Sequence, residues 1–125
     1  MGMRGLYLFE WLDNEWVEQV SFNFGLAVIG EEAVSKTICF SPIQNDIVGL
    51  EARIEPRNEL DFIEDYNHLG TQWKKIEPIK IRLGEKSNPI KIELKASGDK
   101  VRIDYFKIEV KYLEVPSDTE VSYKV

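Results

Sequence analysis

The sequence predicts an all-β protein: a single antiparallel β-sandwich, jelly-roll or immunoglobulin-like, of about eight strands, forming one domain over residues 1–125. Three observations carry that expectation. Ile79-Lys80-Ile81-Arg82-Leu83 and Ile90-Lys91-Ile92-Glu93-Leu94-Lys95-Ala96 alternate strictly between apolar and charged residues, the period of a strand with one buried face. Pro42, Pro56, Pro78, Pro89 and Pro116 all fall at the ends of apolar runs, where a sheet tolerates a missing amide donor. Helical spacing of apolar residues occurs in one short stretch only.

From the N-terminus, Leu6-Tyr7-Leu8-Phe9 is an apolar strand, and Asp13-Asn14 between Trp11 and Trp16 is a two-residue hairpin turn, because Asp and Asn tolerate left-handed backbone. Val20-Ser21-Phe22-Asn23-Phe24 alternates, Thr37 to Phe40 is β-branched and aromatic, and Ile47 to Ile54 continues the pattern. Across Asn58–Leu69, Phe62, Tyr66 and Leu69 stand at i, i+4 and i+7 behind the acids Glu59, Asp61 and Glu64. That spacing fits one short helix near 58–69, or a structured loop.

Turn formers at 84–89 and 97–100 join the alternating segments to the next run, so a β-meander is the economical arrangement. In Val101–Val115, Val101, Ile103 and Tyr105 share one parity while Phe106, Ile108, Val110 and Tyr112 share the other. A β-bulge between Tyr105 and Phe106 would bring both sets to the core. A second parity change at Tyr112-Leu113 predicts a bend or a crossing to another sheet. Thr119–Val125 is strand-like, either an edge of its own sandwich or an arm added to a neighbour's sheet.

With 16 basic and 22 acidic side chains the net charge is −6, and the basic residues alternate with Glu rather than clustering, which argues against nucleic acid as a partner. Gly25, Gly30, Gly70 and Gly84 are isolated, so no phosphate-cradling motif and no cofactor is expected. Cys39 is the only cysteine, which excludes an intrachain disulfide, and between Ile38 and Phe40 it reads as a small strand hydrophobe. No apolar run approaches the roughly twenty residues of a membrane-spanning helix, so no membrane insertion is expected. Behind Met1-Gly2-Met3-Arg4 the acids Glu10, Asp13 and Glu15 interrupt any apolar core of a signal peptide. Synthesis in the cytoplasm is the expectation.

The polar, aromatic-rich stretch 61–73 holds the only histidine. Tyr66, His68 and Trp73 could form a platform for sugar rings, with Asp65, Asn67 and Gln72 bonding the hydroxyls; Trp11 or Trp16 would be alternative platforms. The plainer reading, which is favoured, makes this segment an inter-sheet crossover whose acids are solvated. Asp61, Glu64 and Asp65 lack the spacing of a calcium loop, so no metal site is assigned. No nucleophile elbow or singled-out carboxylate pair is present, so no catalytic residue is assigned and the chain is read as a non-enzyme.

The run from Ile79 to Val110, ending in the Ile-Asp-Tyr-x-x-Ile-x-Val pattern of residues 103–110, resembles the closing strands of small β-sandwich modules in tailed-phage particles. It is also similar to the end of jelly-roll carbohydrate-binding modules. The first resemblance implies a virion structural protein of a tail, baseplate or head, acting through protein-protein contacts with partners or copies of itself. The second implies glycan binding through an aromatic platform. A small hydrolase or isomerase using His68 or a carboxylate pair stands third.

Overall fold

The computed structural model describes residues 5–21, 23–29, 32–33, 35–56, 62–94 and 102–115. Within them the chain is all β. The strands are β1 (Leu6–Leu12), β2 (Glu15–Gln19), β3 (Asn23–Ile29), β4 (Glu32–Ala33), β5 (Lys36–Pro42), β6 (Asp46–Ile54), β7 (Lys74–Lys75), β8 (Lys80–Ile81), β9 (Ile90–Ile92) and β10 (Arg102–Val115). One antiparallel sheet has the order β2-β1-β5-β9; the other runs β4-β3-β10-β6-β7, with β8 also on β6.

The β1–β2 hairpin follows its sequence closely. Asp13 and Asn14 take φ of 51° and 66°, and the two-residue turn sets Leu12 opposite Glu15 and Trp11 opposite Trp16, as a twist-matched hairpin turn requires. Leu6 and Leu8 of β1, Ile38 and Phe40 of β5, and Ile90 and Ile92 of β9 meet Leu50, Ala52 and Ile54 of β6 and Phe106 and Ile108 of β10 in one buried cluster. Each large side chain so buried contributes roughly 1.5–3 kcal/mol of transfer free energy. That shared core joins the two sheets.

Three expectations are corrected. Of the two alternatives over 58–69, the helix is not formed in residues 62–69 and the structured loop is: Phe62 bridges Leu94 and His68 bridges Lys91, with 58–61 outside the described residues. The amides of Ile63 and Leu69 donate to the carbonyls of Glu93 and Lys91, so the segment is laid along the outer edge of β9 and its backbone groups are satisfied there instead of within a helix. Phe62 and Leu69 are buried, but Tyr66, the middle member of the apparent helical stripe, is 90% exposed.

The meander is also replaced. β8 pairs with β6 and β9 pairs with β5, so these neighbours in sequence serve different sheets. The link between them is not a free turn: Ser87 N–H donates to the Phe40 carbonyl and the Phe40 N–H donates to Ser87 Oγ at 2.9 Å, which carries the chain along β5 to the place where β9 begins.

The third correction concerns β10, which pairs with β3 without interruption through Tyr105↔Gly25 and Phe106↔Phe24 and then with β6 from Ile108 onward. The strand changes neighbour there and has no bulge at 105/106; the facing of Val101, Ile103 and Tyr105 lies outside the described residues, as do the 97–100 turn and the 119–125 strand. The irregularity sits at the second parity change. Between the pairs Lys111↔Glu51 and Leu113↔Val48, Gly49 and Leu50 together oppose Tyr112. Gly49 has φ of +71°, the conformation of a glycine-led bulge. The extra residue turns Ile47 on one side and Leu50, Ala52 and Ile54 on the other toward the same core.

Candidate functional site

Two surfaces of the described chain combine exposed aromatic rings with polar groups, and the fold positions each differently. The first is a groove of about 220 Å³, smaller than the roughly 300–1,000 Å³ of drug-sized pockets. Its floor is Ile76, Pro89 and Ile90, and its rim includes Tyr66, Asn67, Glu77 and Asn88. Its two walls are fixed from opposite directions. The Tyr66 turn is held by Lys74, whose Nζ donates to the carbonyls of Asp65 and Tyr66 at 2.8 and 2.7 Å, and by the Lys91 N–H on the Asn67 carbonyl. The far wall is held by the Asn88 N–H on the Glu77 carbonyl at 2.8 Å.

Of the sequence-predicted platform, Tyr66 and Asn67 lie on this groove, whereas the others are placed apart from its lining. His68 is buried, with Nδ1 3.0 Å from Asn67 Oδ1 and Nε2 3.1 Å from Glu93 Oε1. Both ring nitrogens are engaged, which pins the turn to β9. Asp65 and Gln72 are exposed. Trp73 is half-buried on the β6–β10 surface, where Arg53 stands 4.7 Å and Lys111 4.4 Å from its ring centre. Those cations are tied to the acids of the same strands, Arg53 to Glu109 at 2.7 Å and Lys111 to Glu51 at 3.9 Å, so the chain's own charges already use the electron-rich indole.

Sequence reasoning passed over Glu77 and Asn88. Neither carries a local signal; the fold alone brings them opposite Tyr66. Glu64 and Asp65, considered earlier for a cation, do not join a third ligand: no group of three His, Cys, Asp or Glu able to hold a metal occurs among the described residues, and Asp61 lies outside them. Glu64 Oε2 accepts from Thr71 Oγ1 instead.

The second surface is the β1–β2 hairpin. Trp11 and Trp16 are in edge-to-face contact, ring centres 5.0 Å apart and planes at 68°, and Trp11 remains 44% exposed beside the exposed Leu12. Among the described strands β2 stands at the end of its sheet, and Asp13, Glu15 and Glu18 around it are exposed. On the opposite face of β5 from Phe40, Cys39 is fully buried next to its cross-strand partner Phe9. Burial pushes the Cys39 thiol up to about 12, partly offset by the Lys86 ammonium. A thiol so placed is not a nucleophile.

A scan against protein-family models finds no match, and searches of curated proteins and of solved structures find no significant match either.

Proposed function

We propose that this chain is a structural assembly module that acts through protein-protein contacts, as a component of a phage or virus-like particle. The observation that carries the contact is the β1–β2 hairpin, which sets the exposed Trp11 and Leu12 of β1 beside the half-buried Trp16 of β2 at one end of a sheet. Large aromatics on an accessible edge suit an interface centre, where a Trp commonly contributes roughly 2 kcal/mol or more. The placement within a particle rests on the resemblance of residues 79–110 alone.

The acids around the hairpin define the partner's chemistry. Two β2 edges brought together would crowd Glu15 and Glu18 against each other, so the hairpin fits a basic surface. That surface belongs to a partner chain or to a different face of the next copy, the head-to-tail contact that closes rings.

Light scattering after gel filtration, over a wide concentration range and with particle lysate added, tests the reading. A discrete closed assembly or a stable complex is expected, and Trp11→Ser with Leu12→Ser should dissociate it while the melting temperature of the isolated chain stays close to that of the parent. A monomer at every concentration that also takes up no partner overturns the proposal.

A further inference from the structure

The groove beside Tyr66 is independent of the hairpin and asks for a different occupant. We infer that it binds one ring of a neutral saccharide. A sugar ring presents an apolar face and a polar edge, and the groove offers both kinds of partner: the exposed Tyr66 ring with Ile76 and Pro89 for the face, and the polar side chains of Asn67, Glu77 and Asn88 for the edge.

The polar groups are available. Among the described residues, the Glu77 and Asn88 side chains make no hydrogen bond within the protein, and Asn67 uses only its Oδ1, on His68, leaving its amide N–H groups for a ligand. The backbone that carries the ring is also held. Lys74 clamps the carbonyls of Asp65 and Tyr66, so stacking has to order the Tyr66 side chain but not the turn beneath it.

Charge and size narrow the ligand further. Lys75 and Glu77 line the groove with opposite charges, and the Lys74 ammonium is committed to two carbonyls. Among the described residues, a phosphate or other anion would find only the Lys75 ammonium with all its donors uncommitted, and the Glu77 carboxylate in the same lining, rather than a cluster of cations. A volume of about 220 Å³ admits a single ring, with the rest of an oligosaccharide in solvent. Tyr66 is the one aromatic in the lining, whereas a proline-rich peptide docks between several aromatic ridges.

The test uses the full chain on an array of immobilised neutral oligosaccharides, followed by an amide-shift titration with the methyl pyranoside of the responding sugar. Expected are a responding glycan, shifts confined to residues 66–67, 74–77, 88 and 90, and an affinity about tenfold lower in Tyr66→Ala, with Asn88→Ala weakened in the same direction. Tyr66 is 90% exposed, so Tyr66→Ala should keep the parent melting temperature. Trp73→Ala should bind within about twofold of the parent. Silence across the array, a response confined to anionic glycans, binding that survives Tyr66→Ala, or loss on Trp73→Ala each overturns the assignment. None of these outcomes bears on the mass measurement that tests assembly.

Discussion

Phe40 and Ser87 bond each other twice: the Phe40 N–H donates to Ser87 Oγ at 2.9 Å, and the Ser87 N–H donates to the Phe40 carbonyl at 2.8 Å. This reciprocal contact extends the edge of β5 beyond β9 and fastens the 84–89 link over the buried strand. Ser87→Ala would leave the buried Phe40 amide without its acceptor, which costs about 1–3 kcal/mol. A urea titration should show the midpoint lowered at unchanged slope. Lys86→Ala, one residue away, removes an exposed ammonium 4.8 Å from the Phe9 ring centre and should cost less than about 1 kcal/mol.

Gly49 and Gly5 both have left-handed backbone, at φ of 71° and 89°, but they fail differently when a Cβ is added. Nothing lies within 4 Å of a Cβ at Gly49, so Gly49→Ala pays only the conformational penalty, about 1–2 kcal/mol. Gly49→Asn should recover part of it, since Asn visits this region more readily. A Cβ at Gly5 would overlap the Tyr112 hydroxyl, so Gly5→Ala should lose more stability than Gly49→Ala. Thermal unfolding of the three variants gives the order directly.

Which parts of this were legible depended on how local their causes are. The β1–β2 hairpin was readable because Asp13 and Asn14 themselves supply the positive φ, and Cys39 because its apolar neighbours mark a buried strand. The apparent helix was not, because the amides of Ile63 and Leu69 find partners on β9, a choice invisible in the spacing of Phe62, Tyr66 and Leu69. The meander failed for the same reason: alternation shows that Ile81 and Ile92 face a core, but not which strand each pairs with. The lone Gly49 inside an apolar run was a readable bulge signal; of the two parity changes in Val101–Val115, the one at Tyr105-Phe106 pointed to the wrong position and the one at Tyr112-Leu113 to the place where the register shifts. In the groove, Tyr66 and Asn67 were visible as an aromatic-polar cluster. Glu77 and Asn88 were not, and Trp73 was drawn off by Arg53 and Lys111 from strands distant in sequence.

Cys39 gives a pH prediction with a definite sign. Burial raises its folded-state pKa from the ordinary 9.0 to about 12. Below pH 9 the thiol is protonated in both states and contributes nothing to the pH dependence. Above pH 9 the unfolded chain releases a proton that the folded chain keeps until about pH 12, so stability falls through that window by up to about 1.4 kcal/mol per pH unit. Every other group is common to Cys39→Ala, so the difference between parent and variant isolates the thiol. The variant should lose stability less steeply above pH 9. Native protein should also resist a disulfide reagent at pH 8 that modifies one thiol after denaturation.

Glu10 lies on the inward-facing side of β1, in line with Leu6 and Leu8, with its side chain only 8% exposed and its Oε2 2.8 Å from Lys36 Nζ. A carboxylate at the end of a core row holds its charge at a tolerable cost because the ammonium accompanies it. Lys36→Met removes that partner and leaves the acid buried, so it should destabilise by about 3 kcal/mol. Glu10→Leu combined with Lys36→Met removes both charges and extends the apolar row, and it should recover most of that loss. The double-mutant cycle in urea measures the coupling. If the double variant is as unstable as Lys36→Met alone, the pair's role is geometric rather than electrostatic, and the packing of the two stems, not their charges, closes this end of the core.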